Sequence, residues 1–102
     1  MGTAELLKEY NTNGDYTVSD LKQYRFLLFN MYLSSADIYF NPIIIPVNLF
    51  RASTTVSWQI RSFWNTGSDA HIAAAKYISD TSVRLTISGT TTNEKAQLYG
   101  IK

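Results

Sequence analysis

The ten residues from Tyr24 to Leu33, YRFLLFNMYL, restrict the fold of this chain more than any other stretch. Read with period two, Tyr24, Phe26, Leu28, Asn30 and Tyr32 fall on one face, and Arg25, Leu27, Phe29, Met31 and Leu33 on the other. A strand with one wet face alternates apolar and polar residues. Here both faces are largely apolar, so the segment reads as a central strand covered on both sides. A second sheet accounts for one cover, and a partner subunit or an adjacent element for the other.

Strand signals dominate the rest of the chain. Leu6 to Tyr10 reads as a first strand and Tyr16 to Val18 as its return. Asn11 to Asp15 lies between them and contains Asn13-Gly14, a strong hairpin signal. Ser19 to Gln23 is a polar corner and Ser34 to Asp37 a turn. Ile38 to Phe50 is again apolar on both faces at Ile43-Ile44-Ile45. Its Pro42 and Pro46 cannot donate to a ladder, which puts them on an edge or at a bulge. In Thr55 to Trp64, residues Val56, Trp58, Ile60 and Trp64 form a core stripe opposite Thr55, Ser57, Gln59 and Arg61. Asn65 to Asp69 has turn chemistry. His71 to Ile78 contains three alanines that suit a helix, but about two helical turns between strand-like neighbours favours a strand with small side chains. Ser79 to Ser82 is a turn, Val83, Leu85 and Ile87 mark a clear strand, Gly89 to Lys95 is a polar turn, and Ala96 to Ile101 closes the sheet. Short strands between closely spaced turns predict an all-β fold, an antiparallel β-sandwich of jelly-roll-like form. With 102 residues the chain forms a single domain over 1–102.

Composition narrows the function. The chain is 17% charged, against about 25% in ordinary soluble domains, and 14% aromatic with seven tyrosines. Such a chain often covers part of its surface with a partner. Net charge is +1 and the nine Lys and Arg are scattered, so the clustered cations that nucleic acid demands are missing. With no cysteine, disulfides, a thiol nucleophile and thiolate metal sites are excluded. The apolar stretch Ile38 to Phe50 is too short and too broken to insert in a bilayer. Met1-Gly2 reads as a cloning scar, which would make the chain a fragment of a longer one, and the N-terminus lacks signal-peptide features.

No motif carries catalysis, a metal or a cofactor. His71 is the single histidine and lacks nucleophile-elbow spacing. Asn11 to Asp15 offers oxygen ligands, but too few acids for a calcium loop. The eight acids are dispersed, several of them in turns where aspartate is expected on structural grounds. For a ligand, the segment Trp64 to His71 stands out, because Trp64, Asn65, Asp69 and His71 combine an aromatic face with polar groups, as a sugar site does. The same residues also read as the end of the core stripe followed by a turn.

Three segments, Leu21 to Phe29 (LKQYRFLLF), Asn41 to Phe50 (NPIIIPVNLF) and Tyr99-Gly100-Ile101, together resemble the C-terminal β-rich domains of tail-fibre and minor structural proteins of tailed phages and prophages. The resemblance implies a fibre-head β-sandwich, the C-terminal part of a longer fibre protein, exposed on the outside of the virion. It further implies a non-enzymatic receptor-binding tip that forms a homo-trimer and recognises a host cell-surface glycan or protein. The alternative is a purely structural trimerisation or capping domain of the tail. A glycan-cleaving or esterase domain is a third reading, disfavoured by the missing acid pair and the missing partner for His71.

Overall fold

The fold follows from which strands find partners at the two ends of the chain. The computed structural model describes residues 4–33, 38–62, 71–88 and 94–102. In chain order the elements are β1 (Ala4–Tyr10), β2 (Gly14–Thr17), a single 3₁₀ turn (Leu21–Gln23), β3 (Phe26–Leu33), β4 (Ile38–Pro46), one helical turn α1 (Val47–Phe50), β5 (Ser57–Ser62), β6 (His71–Ser79), β7 (Ser82–Ser88) and β8 (Glu94–Ile101). They build two four-stranded antiparallel sheets, ordered β1-β8-β3-β4 and β2-β7-β6-β5. This is the antiparallel β-sandwich that the alternation predicts. It is jelly-roll-like in its outer turns, where the first strand pairs with the last and the second with the last but one. The nesting then stops, because β3 takes β4 as its hairpin partner and β6 takes β5. The expected turns at Ser34–Asp37, at Asn65–Asp69 and over most of Gly89–Lys95 lie outside the described residues, as does the Phe63-Trp64 end of the strand read from Thr55.

Two local expectations are corrected. The Asn13-Gly14 segment does not make a β1–β2 hairpin, since β1 pairs with β8 in one sheet and β2 with β7 in the other. It forms a corner between sheets instead. Asn13 Oδ1 accepts the Ile87 N–H at 2.7 Å, so the side chain itself continues the contact with β7 just before Gly14 pairs with Leu85. The second correction concerns Ile38 to Phe50, which is not one strand. Pro46, with φ −60°, ends β4 and precedes the helical turn, where a missing N–H and a fixed φ cost nothing. Val47 and Phe50, three residues apart, then share a buried face. Pro42 falls where β4 has two residues opposite one of β3, so β4 is both an edge strand and bulged, as its prolines require.

Between the sheets lies one apolar cluster. Leu27, Phe29, Met31, Ile45 and Leu98 from the first sheet are fully buried, with Ile60, Ala73, Ala75, Val83 and Leu85 from the second. Trp58 packs half-buried against this cluster, whereas Val56 precedes β5 and is exposed. Leu27, Phe29 and Met31 put bulky side chains on the inner side of β3, and Ala73 and Ala75 put small ones on the inner side of β6, a combination of large and small that lets layers interdigitate. The small residues also leave the β6 backbone within reach of Tyr10. The Tyr10 hydroxyl donates to the Thr86 carbonyl at 2.8 Å, with the Ala74 carbonyl at 3.4 Å, and so links β1 to the opposite sheet. Burial pushes its ionisation well above the usual tyrosine range.

At the end of the sandwich where β3 begins, Tyr24 lies over Gly100. A Cβ on Gly100 would stand 2.6 Å from two ring carbons of Tyr24, so only glycine fits beneath the ring. The Tyr24 hydroxyl continues to Glu5 Oε2 at 2.7 Å, joining the start of β1. Gly100→Ala should destabilise the fold by about 1–3 kcal/mol, the usual cost of overpacking. Urea unfolding measures it, and a loss under about 0.5 kcal/mol, the range of a surface change, would show that the ring is free to move aside.

The same end carries a clamp. Arg51 grips Asp80 with two hydrogen bonds, Nε to Oδ1 at 2.6 Å and Nη2 to Oδ2 at 3.2 Å, and Tyr77 donates to Oδ1 at 2.7 Å. The Arg51 guanidinium, and after it the Tyr77 hydroxyl, hold the Asp80 carboxyl down at about 2. An unfolded aspartate titrates near 3.9. The lowered folded value means that the clamp stabilises fully above that pH and loses its effect as pH falls toward 2. Asp80→Asn should therefore lower the melting temperature at neutral pH, and the gap to wild type should close between about pH 4 and pH 2. A gap independent of pH would refute the charge-based origin.

Candidate functional site

Two regions offer themselves, one at an end of the sandwich and one on a face. At the end where β6 and β8 begin, period two places His71 on the same side as Ala73 and Ala75, and Glu94 on the same side as Ala96 and Leu98. Both sides face the interior. The two side chains meet there, His71 Nδ1 lying 3.0 Å from Glu94 Oε2, with His71 12% exposed and Glu94 fully buried. A carboxylate is costly to bury without such a partner. His71 was expected to open the strand to Ile78 and also to end the loop as a donor to ligand. It is the first residue of β6, and one of its ring nitrogens is engaged inside the protein. The parity of His71 with the alanines was the available signal. Trp64, Asn65 and Asp69 lie outside the described residues. Among the described residues, no three His, Cys, Asp or Glu side chains are grouped to hold a metal ion.

The second region is the outer face of the sheet β1-β8-β3-β4. Register aligns Ile44, Leu28, Tyr99 and Leu6 in one row across all four strands. The next row is Pro46, Phe26, Ile101 and Ala4. Ile44 is 62% exposed, Leu6 53% and Phe26 38%. Beyond the two apolar rows the face turns polar. Asn30 Nδ2 donates to Gln97 Oε1 at 3.3 Å, Gln97 Nε2 to Glu9 Oε2 at 2.8 Å, and Lys95 Nζ lies 3.3 Å from Glu9 Oε1. The Gln97 amide, followed by Lys95, holds the Glu9 carboxyl below its usual range. This chain of donors fixes each amide, and Asn30 Oδ1 has no hydrogen-bond partner among the described residues.

The outer face of the other sheet differs in kind. Its rows read Ser57, Lys76, Arg84, Asp15 and Gln59, Ala74, Thr86. Arg84 holds Asp15 through Nε to Oδ1 at 2.8 Å and Nη2 to Oδ2 at 3.2 Å. That is an ordinary wet face. Phe26 and Leu28 were recognisable from the sequence as members of one of two apolar faces, but which face is outer, and their row partners on β1, β4 and β8, depend on register across strands far apart in the chain.

Comparison with protein-family models, with curated proteins and with solved structures returned no match.

His71→Ala should destabilise the domain by about 3 kcal/mol or more, because it takes a partner from a fully buried carboxylate. A melting curve within experimental error of wild type would return His71 to the role of a surface residue.

Proposed function

We propose that this domain is a passive assembly and recognition module of the fibre-tip type, whose copies associate through the outer face of the β1-β8-β3-β4 sheet. One observation carries the reading. The same sandwich has one polar outer face and one that bears two in-register apolar rows, Ile44-Leu28-Tyr99-Leu6 and Pro46-Phe26-Ile101-Ala4. A monomer in water has no reason to treat its two faces so differently. At usual strand dimensions the face measures roughly 500 Å² in plan. With side-chain relief that approaches the roughly 800 Å² per partner of a standard interface. A second copy is therefore an occupant of suitable size. The mixed apolar and polar halves suit a contact with a dry centre and a hydrogen-bonding margin.

The non-catalytic reading draws support from the acids. Each described acid has a structural partner: Glu5 with Tyr24 and Lys102, Glu9 with Gln97 and Lys95, Asp15 with Arg84, Asp20 with the backbone N–H of Lys22, Asp80 with Arg51, and Glu94 with His71. The fibre context, the extracellular location on a virion and the host receptor rest on the sequence resemblance. In that setting a trimer would multiply weak single-site contacts into avidity.

Sedimentation of the isolated domain at micromolar concentration should show a trimer. Leu6→Lys combined with Ile44→Lys should give a folded monomer, since both side chains are more than half exposed in the single chain and surface changes cost little within the fold. A monomeric wild type, or a double variant that still assembles, would overturn the proposal.

A further inference from the structure

At the end of the sandwich opposite the His71–Glu94 pair, we infer a second site, which borders the proposed assembly face at Phe26 and Pro46: the groove between the 3₁₀ turn, the start of β3 and α1 binds a carboxylate-bearing sugar. The groove has a volume of about 420 Å³ and is lined by Lys22, Tyr24, Arg25, Phe26, Pro46 and Asn48. Pockets for small ligands begin near 300 Å³, so this one accepts one or two sugar rings.

The lining contains two cations and no acid. The backbone of Arg25 is tied on both sides, its N–H to the Ile101 carbonyl at 2.8 Å and its carbonyl to the Val47 N–H at 3.0 Å. Its guanidinium has no ion pair among the described residues. Lys22 Nζ lies 3.9 Å from Asp20, with both side chains half exposed or more, a contact of little strength, and its charge also acts on Asp80. Of the other acids nearby, Glu5 already accepts from Tyr24 and pairs with Lys102, and Asp80 is taken up by Arg51 and Tyr77. The Arg25 charge is thus held in the groove with no ion pair among the described residues and the Lys22 charge with a weak one, and an anionic group would complete them.

Phe26 and Pro46 add an exposed apolar wall, and Asn48 adds an exposed amide. Apolar C–H groups against a ring, hydroxyls on an amide and a carboxylate on a guanidinium are the parts of an acidic sugar. An extended peptide is less suited. It would have to add to the β4 edge, where Pro42 and Pro46 offer no N–H.

Asp80 helps to hold the walls in place. The Asp80 carbonyl accepts the Leu21 N–H at 2.8 Å beside Lys22, while the Asp80 carboxylate grips Arg51 at the end of the helical turn that carries Asn48. The groove is therefore preformed, which limits the ordering cost of binding.

Titration of the isotopically labelled domain with a glucuronate-containing tetrasaccharide, followed by amide NMR shifts, tests the site. Saturable shifts at Lys22, Arg25, Phe26 and Asn48 are expected. A neutral tetrasaccharide should leave those amides unmoved. Lys22→Gln with Arg25→Gln should weaken binding at least tenfold, with sedimentation and melting unchanged. The site would be overturned by shifts that avoid the groove, by equal binding of the neutral sugar, or by affinity that survives the double substitution. Tighter binding of a tetraglutamate peptide would overturn the assignment to a sugar. Sedimentation of the same samples reads assembly separately, and the Leu6→Lys, Ile44→Lys variant, whose substitutions lie outside the groove, reads sugar binding without assembly, so failure of one proposal is distinguished from failure of the other.

Discussion

The last strand completes the structure. β8 pairs with β1 on one side and β3 on the other, so residues at the two ends of the chain and a segment near its first quarter meet in one sheet. Remove β8 and the first sheet falls apart into a lone strand and a hairpin. Its inward side supplies Ala96 and Leu98 to the core and Gly100 as the bed for Tyr24. Its outward side supplies Tyr99 and Ile101 to the apolar rows and Gln97 to the polar one. Pairings so distant in sequence must overcome loop-closure entropy before they gain contacts, and folds dominated by them form slowly. Tyr10 extends the same dependence to the second sheet, because its hydroxyl reaches the β6–β7 backbone from a strand that β8 holds in place.

Local chemistry was legible in the sequence and distant pairing was not. Period two identified β3, β5 and β7, and the alanines of β6 announced a close approach rather than a helix. The prolines of β4 foretold its edge and its bulge. Asn13-Gly14 misled, because a tight corner between sheets and a hairpin turn ask for the same residues. Which one forms is decided by the partners of β1 and β2, and those lie at the far end of the chain. The Glu94 partner of His71 was hidden for the same reason, being 23 residues away on a strand of the opposite sheet. The cationic groove escaped notice because Lys22 and Arg25 seem scattered in sequence, and only the fold brings Pro46 and Asn48 beside them.

Asn30 sets a limit on how the apolar face is used. It sits at the border between the two apolar rows and the polar one, almost fully buried, and its Oδ1 has no partner among the described residues. Such an orphan costs about 1–3 kcal/mol relative to a satisfied group. An apolar residue there would remove the cost, yet it would also carry the apolar rows further along the face. The amide instead connects through Gln97 to Glu9 and Lys95, so that the face ends in fixed charge. A bounded apolar patch favours one registration of a partner over slippage along the sheet.

The two ends of the sandwich are built for different purposes. At one, His71 and Glu94 turn their polar atoms inward on each other, which fixes where β6 and β8 begin. At the other, Asp80 takes up Arg51, Tyr77 and the Leu21 N–H, and this leaves Arg25 and Lys22 facing outward with no internal acid assigned to them beyond the weak contact to Asp20. Asp80 can saturate the first arginine only because α1 brings Arg51 beside the β6–β7 turn, and α1 exists because Pro46 stops β4. The proline that ends the edge strand therefore also decides which cation is neutralised within the fold and which remains available to a ligand.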